Sequence, residues 1–300
     1  MFSKILVPLD GSKTAEKVLP YARYLASRFK IPIELLAVVD IAEIASQIAS
    51  EKPRFLDTFF DDAVQQRTSY LSAVAASFAE ADVSYSVERG KAEEAIVERA
   101  ARDKAALIAM ATHGRSGVNR FLLGSVAEKV LRGTVNPLLL IRAAKEAKSE
   151  GEAALKSIIV PLDGSELGEG VLPLVADIAQ KLSLEVELLR AYHIPSNVYA
   201  DDWGFSGSYD ELLSGLRVEA SEYLEKKAAD LKRLGVAKVT CVTKEGLAAD
   251  EIISLGQKTA DNLIAMSSHG RSGVTRWALG SVAETVVRHS SNPVLIIRPG

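Results

Sequence analysis

Two loops of the chain combine glycines and a serine in a spacing that suits a phosphate group. Gly114 is followed by nine residues and then by Gly124-Ser125, and Gly270 by nine residues and then by Gly280-Ser281. Glycine lets backbone N–H groups approach an anion with no Cβ in the way. The serine of each loop opens a predicted helix, where N–H groups and the helix dipole favour phosphate. Such a pair alone is usually a helix cap, but here it follows a buried strand in both halves, which favours phosphate binding.

A second feature of both halves is an aspartate directly after a short apolar run, within the identical segments 8–12 and 161–165, PLDGS. Asp10 and Asp163 offer oxygens that can accept hydrogen bonds from ribose hydroxyls. A turn aspartate also commonly bonds its own backbone, and the two roles can coexist. Acceptors for a sugar beside donors for phosphates are what a nucleotide requires.

These residues belong to a sequence that repeats itself. Residues 5–12 (ILVPLDGS) match residues 158–165 (IIVPLDGS), and residues 107–142 match residues 263–298. A repeat with so long a period is a duplicated domain rather than a solenoid unit. We expect a linker that is either flexible or a short helix. The predicted boundaries are 1–143 for the first domain, 144–156 for the linker and 157–300 for the second domain.

Within each half, five apolar runs typical of strands alternate with helical patterns. The fourth runs, AALIAMA and NLIAMS, are apolar almost throughout, as in a strand buried on both faces. The third runs alternate as half-exposed edge strands do. This alternation predicts an α/β fold in which each half is a doubly wound, Rossmann-like parallel sheet with helices on both faces. Ligands of such sheets bind at the carboxyl ends of the strands, where the strand order reverses.

The composition excludes several classes of protein. The chain has 300 residues, a net charge of −3, 48% hydrophobic residues and 25% charged residues, which is ordinary for two globular domains. It has no basic block, so we expect no nucleic-acid partner. No apolar run approaches the length of about 18 residues that a membrane span needs. One cysteine, Cys241, excludes an internal disulfide, and the first apolar run is too short for a signal peptide. We therefore expect a cytoplasmic protein.

The whole chain resembles a tandem universal stress protein, with two UspA-type domains in one polypeptide. Nucleotide-binding members of that family carry Gly, two residues, Gly, nine residues, Gly and Ser or Thr. The two loops described above match this motif except at its first glycine. That position holds Ala111 in the first half and Ser267 in the second.

The resemblance implies a strand order of 3-2-1-4-5 in each half and a bound adenine nucleotide, ATP with or without Mg²⁺. The family's strand-one aspartate matches Asp10 and Asp163. Its residue that packs on adenine matches Val38 and Ala191. The implied nucleotide-binding residues are Asp10, Val38, Met110, Ala111, His113, Gly114, Gly124, Ser125 and Val126 in the first half, and Asp163, Ala191, Met266, Ser267, His269, Gly270, Gly280, Ser281 and Val282 in the second.

His113 and His269 are the loop residues that most invite a catalytic or metal-binding interpretation. Neither has a second His, Cys or carboxylate at ligand spacing in its own loop. We therefore expect no metal ion held by protein side chains. We interpret both histidines as structural residues or as neighbours of the base.

These observations favour a non-catalytic function, an ATP-binding regulatory module in the stress response. The chain has neither a Walker-type lysine motif nor a GxGxxG fingerprint, so we do not expect an enzyme. Two alternatives stay open, a nucleotide-free dimerisation scaffold and a slow ATPase. Similar proteins pair through their fifth strands, here 138–142 and 294–298, so we expect the two domains to pair in this way. We also expect that two chains can form a homodimer.

Overall fold

The computed structural model describes residues 1–40, 56–78, 81–112, 123–142, 151–194, 209–258, 261–270 and 279–298. The chain divides into two compact units, Met1–Ala154 and Leu155–Gly300. The predicted linker, 144–156, lies outside the described residues up to residue 150. Of its remainder, Leu155 is buried, and the backbone N–H of Lys156 donates to the carbonyl of Asp261 at 2.7 Å.

The first unit is a parallel sheet flanked by helices. Its described strands are β1 (Ile5–Pro8), β2 (Ile33–Val39), β3 (Val83–Arg89), β4 (Leu107–Ala111) and β5 (Leu138–Ile141). Its described helices are α1 (Leu19–Phe29), which follows a 3-10 turn at Ala15–Val18, α2 (Leu56–Ala76), α3 (Ala92–Ala101) and α4 (Ser125–Gly133). The strands pair in parallel in the order β3-β2-β1-β4-β5.

The second unit repeats this arrangement. Its described strands are β6 (Ser157–Pro161), β7 (Glu185–Tyr192), β8 (Val239–Glu245), β9 (Asn262–Ser267) and β10 (Val294–Ile297). Its described helices are α5 (Glu166–Glu169), α6 (Leu172–Leu182), α7 (Tyr209–Arg233), α8 (Ala248–Gln257) and α9 (Ser281–His289). Within this unit the parallel order is β8-β7-β6-β9-β10. The predicted order 3-2-1-4-5 is therefore confirmed in each half.

Burial along the strands follows the sequence pattern. Every residue of β4 and β9 is buried, because helices cover both faces of these central strands. The edge strands β3 and β8 keep part of their side chains accessible to water. The apolar ends of β1 and β6 are closed to solvent, with Ile5 and Ile158 each 0% exposed. Burying such a side chain stabilises the folded state by about 1.5–3 kcal/mol.

The helices pack in two sets. In the first unit α2 lies against β2 and β3, and α3 contacts α4; in the second, α7 lies against β7 and β8, and α8 contacts α9. Among the described residues, no helix combines the length and apolarity that a bilayer crossing would need.

Candidate functional site

The loop after the first strand of each unit is a tight turn around its aspartate. Gly11 and Gly164 have φ angles of +82° and +87°, a conformation that glycine adopts without steric cost. In the first unit the Ser12 N–H donates to Oδ1 of Asp10 at 2.9 Å. In the second the Ser165 N–H donates to Oδ1 of Asp163 at 3.0 Å. Both aspartates therefore bond their own turn through one carboxylate oxygen.

The serine of each turn begins the next segment. The Ala15 N–H donates to Oγ of Ser12 at 3.1 Å, and the Gly168 N–H donates to Oγ of Ser165 at 3.0 Å. In the second unit the Ser165 hydroxyl also donates to Oδ1 of Asp163 at 2.6 Å. These bonds fix the direction in which each aspartate leaves the sheet.

The loops after the fourth strands close at the last glycine of the motif, Gly124 or Gly280. The Gly124 N–H donates to the carbonyl of Thr112 at 2.8 Å, and the Gly280 N–H to the carbonyl of Ser268 at the same distance. A Cβ at Gly280 would lie 3.2 Å from that Ser268 oxygen, so a side chain there would press on the loop backbone. The Gly280 N–H is used within the loop, and the first turn of α9 offers further backbone N–H groups to a phosphate.

Asp163 joins the two loops of the second unit. A Cβ built on Gly270 would collide with Oδ2 of Asp163. A Cβ on Gly168 would lie 2.7 Å from Oδ1 of the same carboxylate. Two glycines distant in sequence thus let the Asp163 carboxylate lie directly against the loop that follows β9.

A cavity of about 630 Å³ opens at this point of the second unit, a size typical of small-molecule sites. It is lined by all nine residues that the sequence assigned to this half, Asp163, Ala191, Met266, Ser267, His269, Gly270, Gly280, Ser281 and Val282. The structure therefore brings the whole predicted set of the second half together around one space.

The first unit places its described candidates at the same ends of the same elements. Asp10 follows β1, Val38 lies in β2, and Met110 and Ala111 end β4. Gly124 precedes α4, which begins with Ser125 and Val126. His113 and Gly114 lie outside the described residues.

The residues at the missing first glycine are buried. Ala111 and Ser267 are 7% exposed and end their strands. The Ser267 hydroxyl accepts a hydrogen bond from the His269 N–H at 3.3 Å, and Oγ of Ser268 lies 2.8 Å from Nδ1 of His269. His269 thus takes part in the internal bonding of the loop while it also lines the cavity.

Several cavity residues escaped the sequence analysis. Arg190 and Glu219 line the cavity and form an ion pair at 3.1 Å, and Gly168 supports Asp163. A comparison of the two halves of the sequence can identify Arg190 and Gly168, because the equivalent residues of the first half are Ala37 and Ala15. These positions differ between the halves, so residues shared by both halves do not include them.

A partly buried tyrosine–glutamate pair lies beside each aspartate. The Tyr70 hydroxyl donates to Glu16 at 3.2 Å, and the Tyr223 hydroxyl donates to Glu169 at 2.9 Å. Burial, reinforced by the neighbouring glutamate, raises the pKa of both tyrosines well above the usual range. Both phenols therefore stay protonated and act as donors at neutral pH.

Cys241 lies in β8 and is half-buried rather than fully buried. Burial, with the Glu225 carboxylate nearby, raises the pKa of its thiol to about 11. The thiol is therefore protonated and weakly nucleophilic at neutral pH.

Comparison with known proteins agrees with this architecture. The model of the universal stress protein family matches residues 1–142 and again residues 154–298. A universal stress protein of Methanocaldococcus jannaschii is 30% identical over 148 residues, which is 49% of this chain and 85% of that protein. One from Mycobacterium tuberculosis is 24% identical over 297 residues, 98% of this chain and 96% of that protein. The crystal structure of a universal stress protein from Archaeoglobus fulgidus covers 99% of both chains with a TM-score of 0.70 at 20% identity, a likeness of fold.

Proposed function

The chain belongs to the universal stress protein family, and from this premise we propose that it is a regulatory module that binds an adenine nucleotide, ATP with or without Mg²⁺. The observation that carries the proposal is the cavity of the second unit, in which the strand-one carboxylate and the first turn of α9 line one space. We propose the same function for the first unit, because its described candidates lie at the same ends of the same elements.

The chemistry of the cavity suits the parts of a nucleotide. Asp163 lines the cavity and is anchored by its own turn, and a carboxylate has several lone pairs that can accept hydrogen bonds from ribose hydroxyls. Ser281 and Val282 open α9 and line the cavity, where N–H groups without an intrahelical acceptor favour phosphate. Ala191 and Ile252 add apolar surface to the lining, which suits a base.

The proposal is for binding without evolved turnover. Positioning of a metal-bound triphosphate can by itself allow slow hydrolysis, and we do not assign a catalytic residue. A nucleotide-free scaffold is the main competing function. The residue that favours it is Ser267, which replaces the first glycine of the motif. The hydroxyl of Ser267 accepts a hydrogen bond from the His269 N–H within the loop.

The first experiment is mass spectrometry of the purified protein before and after denaturation, followed by calorimetric titration with ATP and magnesium. We expect released or titratable adenine nucleotide. A clean spectrum together with no heat of binding would leave the scaffold as the better explanation. Multiple-turnover release of phosphate would instead make the protein an ATPase.

The residue-level test is Asp163→Asn. The amide oxygen can still accept from the Ser165 N–H, so the turn is kept, but the charged acceptor is lost. A hydrogen bond to a charged group contributes about 1.5–3 kcal/mol, so affinity at the second unit is expected to fall roughly 10- to 150-fold. The melting temperature should change little. The control is Asp177→Asn at an exposed position of α6, which should bind like wild type. Equal affinity in all three proteins would mean that Asp163 serves only its turn.

Three further expectations belong to this proposal and stay predictions. They are a cytoplasmic location, pairing of the two domains through their fifth strands, and a homodimer of chains. Sedimentation velocity of the full chain, with and without ATP, measures the last of these.

A further inference from the structure

We propose that Arg67 in the first unit and Arg190 in the second are positioning residues, which hold the loop after the first strand and so aim Asp10 and Asp163. The proposal rests on the proposed function of those two aspartates. Its main support is that the two units place an arginine at the same loop from two different elements.

In the first unit the arginine comes from a helix. Arg67 lies in α2, and its Nη1 donates to the backbone carbonyl of Asp10 at 2.6 Å. The bond falls on the residue whose carboxylate is the proposed ribose acceptor. A charged donor on a turn carbonyl both satisfies that carbonyl and restrains the turn.

In the second unit the arginine comes from a strand. Arg190 lies in β7, and its Nη1 is 3.3 Å from the point where a Cβ of Gly164 would be. The side chain is 11% exposed. It is held from the far side by the Tyr223 ring, 4.5 Å from the guanidinium carbon, and by the Glu219 carboxylate at 3.1 Å.

Each of the two arginines has an alanine at the equivalent position of the other unit. The strand position equivalent to Arg190 is Ala37, because Leu36 and Leu189, the residues before them, pair with Pro8 and Pro161 in the same register. The helix position equivalent to Arg67 is Ala220, three residues before Tyr223 as Arg67 is three before Tyr70. Ala37 and Ala220 are each 1% exposed, so at these two positions each unit carries one arginine and one buried alanine.

The charges around each loop favour a cation beside it. Each loop brings two carboxylates together, Asp10 with Glu16 and Asp163 with Glu169, and both act on the pKa of the intervening tyrosine. Glu16 is only 8% exposed, and neighbouring carboxylates repel each other where water is scarce. A guanidinium beside the loop, together with Lys13 at Glu16 and Lys227 at Glu169, offsets that repulsion.

The test compares Arg67→Ala with the double variant Arg67→Ala/Ala37→Arg, which builds the second unit's arrangement into the first. Two quantities are measured, the affinity of each site for ATP and the amide exchange of residues 9–12, which includes the Ser12 N–H. We expect Arg67→Ala to lower first-site affinity about tenfold, to speed exchange in that segment and to leave the second site unchanged. The double variant should restore both quantities. The reciprocal pair is Arg190→Ala and Arg190→Ala/Ala220→Arg.

The control is Arg23→Ala. Arg23 stacks on Phe78 at 4.6 Å and donates to Oγ of Ser77 at 2.8 Å, so its loss removes similar packing away from the loop. A change in melting temperature with no change in loop exchange, as expected for Arg23→Ala, would reduce Arg67 to a packing residue and overturn the proposal. Failure of the folded double variant to restore loop protection would also overturn it. If Arg67→Ala does not fold, the same two quantities, ATP affinity and loop exchange, are measured on Arg67→Lys.

The exchange measurement needs no ligand, so the positioning role and the proposed function can fail separately. Wild-type protein that binds no nucleotide contradicts the function, while loop exchange and its rescue still decide the role of the arginines.

Discussion

Gly270 and Gly215 show how differently two glycines of one unit respond to an added methyl group. At Gly270 a Cβ would collide with the Asp163 carboxylate, whereas at Gly215 in α7 no atom lies within 4 Å of the added Cβ. Gly270→Ala should push Asp163 aside and lower second-site affinity for ATP tenfold or more, while overpacking destabilises the unit by about 1–3 kcal/mol. Gly215→Ala should stabilise the same unit by about 0.5–1 kcal/mol, because alanine is the better helix former.

Calorimetric titration and urea unfolding of the two variants check this prediction. Gly215→Ala is the matched control, since it adds the same atoms in open space. Unchanged affinity in Gly270→Ala would show that Asp163 has freedom to move without losing its ligand.

At the residue scale the sequence predicted what local rules decide. The turn role of Asp10 and Asp163 follows from an aspartate before glycine and serine, and the structure has both bonds. The sequence could not predict the close approach of Asp163 to Gly168 and Gly270, because it depends on the distance between two loops in the folded structure. Arg190 was missed for the same reason, since a strand pattern does not predict the tyrosine over which its side chain stacks.

The second strands of the two units carry equivalent glutamates in opposite surroundings. Glu34 in β2 is buried and bonds Lys4 at 2.6 Å and also Arg99 of α3. Burial alone would raise the pKa of Glu34, but these two cations outweigh it and hold the pKa below its ordinary value of 4.5. Burial raises the pKa of Glu187 in β7, with Lys258 opposing and Glu185 reinforcing that effect.

These shifts predict opposite effects of one substitution. A lowered pKa means that Glu34 stabilises the fold above its unfolded pKa, near 4.5, and that this contribution is lost as pH falls through the folded value. Glu34→Gln should therefore destabilise at pH 7, by about 1–3 kcal/mol because two cations lose their partner. Glu187 binds its proton more tightly when folded, so it costs stability as pH rises past 4.5, and Glu187→Gln should stabilise at pH 7.

Urea unfolding of both variants at pH 7 and at acidic pH, with amide exchange of β2 and β7 to separate the units, measures the two signs. Both differences should shrink in acid as the carboxyls become protonated. Destabilisation by both variants at pH 7 would mean that Glu187 has a stabilising partner in solution. The strand pattern predicted β2 and β7, but it could not predict which glutamate has cations, because Arg99 reaches Glu34 from another element.

At the scale of the whole molecule, duplication kept the frame and let details diverge. The repeat offset is 153 residues from Asp10 to Asp163 and 156 from Gly124 to Gly280. The structure locates the three extra residues after Tyr223 and before β8, because Tyr70 and Tyr223 still differ by 153 while Val83 and Val239 at the starts of β3 and β8 differ by 156. The insertion lies toward the C-terminal end of α7, away from the proposed site. The strand ends that would contact a ligand are therefore the same in both units.

This divergence predicts two sites of unequal affinity. Val38 and Ala191 are equivalent and both half-buried, and a valine covers a base with about two more carbon atoms. Each buried methylene contributes about 0.8 kcal/mol, so a partly covered valine should favour the first site by about 1 kcal/mol, or roughly fivefold in affinity. Val38→Ala and Ala191→Val together should reverse the order. The measurement is calorimetry with ATP on Asp163→Asn and Asp10→Asn proteins, each of which leaves one site intact. Tighter binding of ATP at the second site than at the first, with Val38 and Ala191 unchanged, would contradict the prediction. It would instead point to Arg190 as the cause, because only the second unit carries an arginine at this position of the strand.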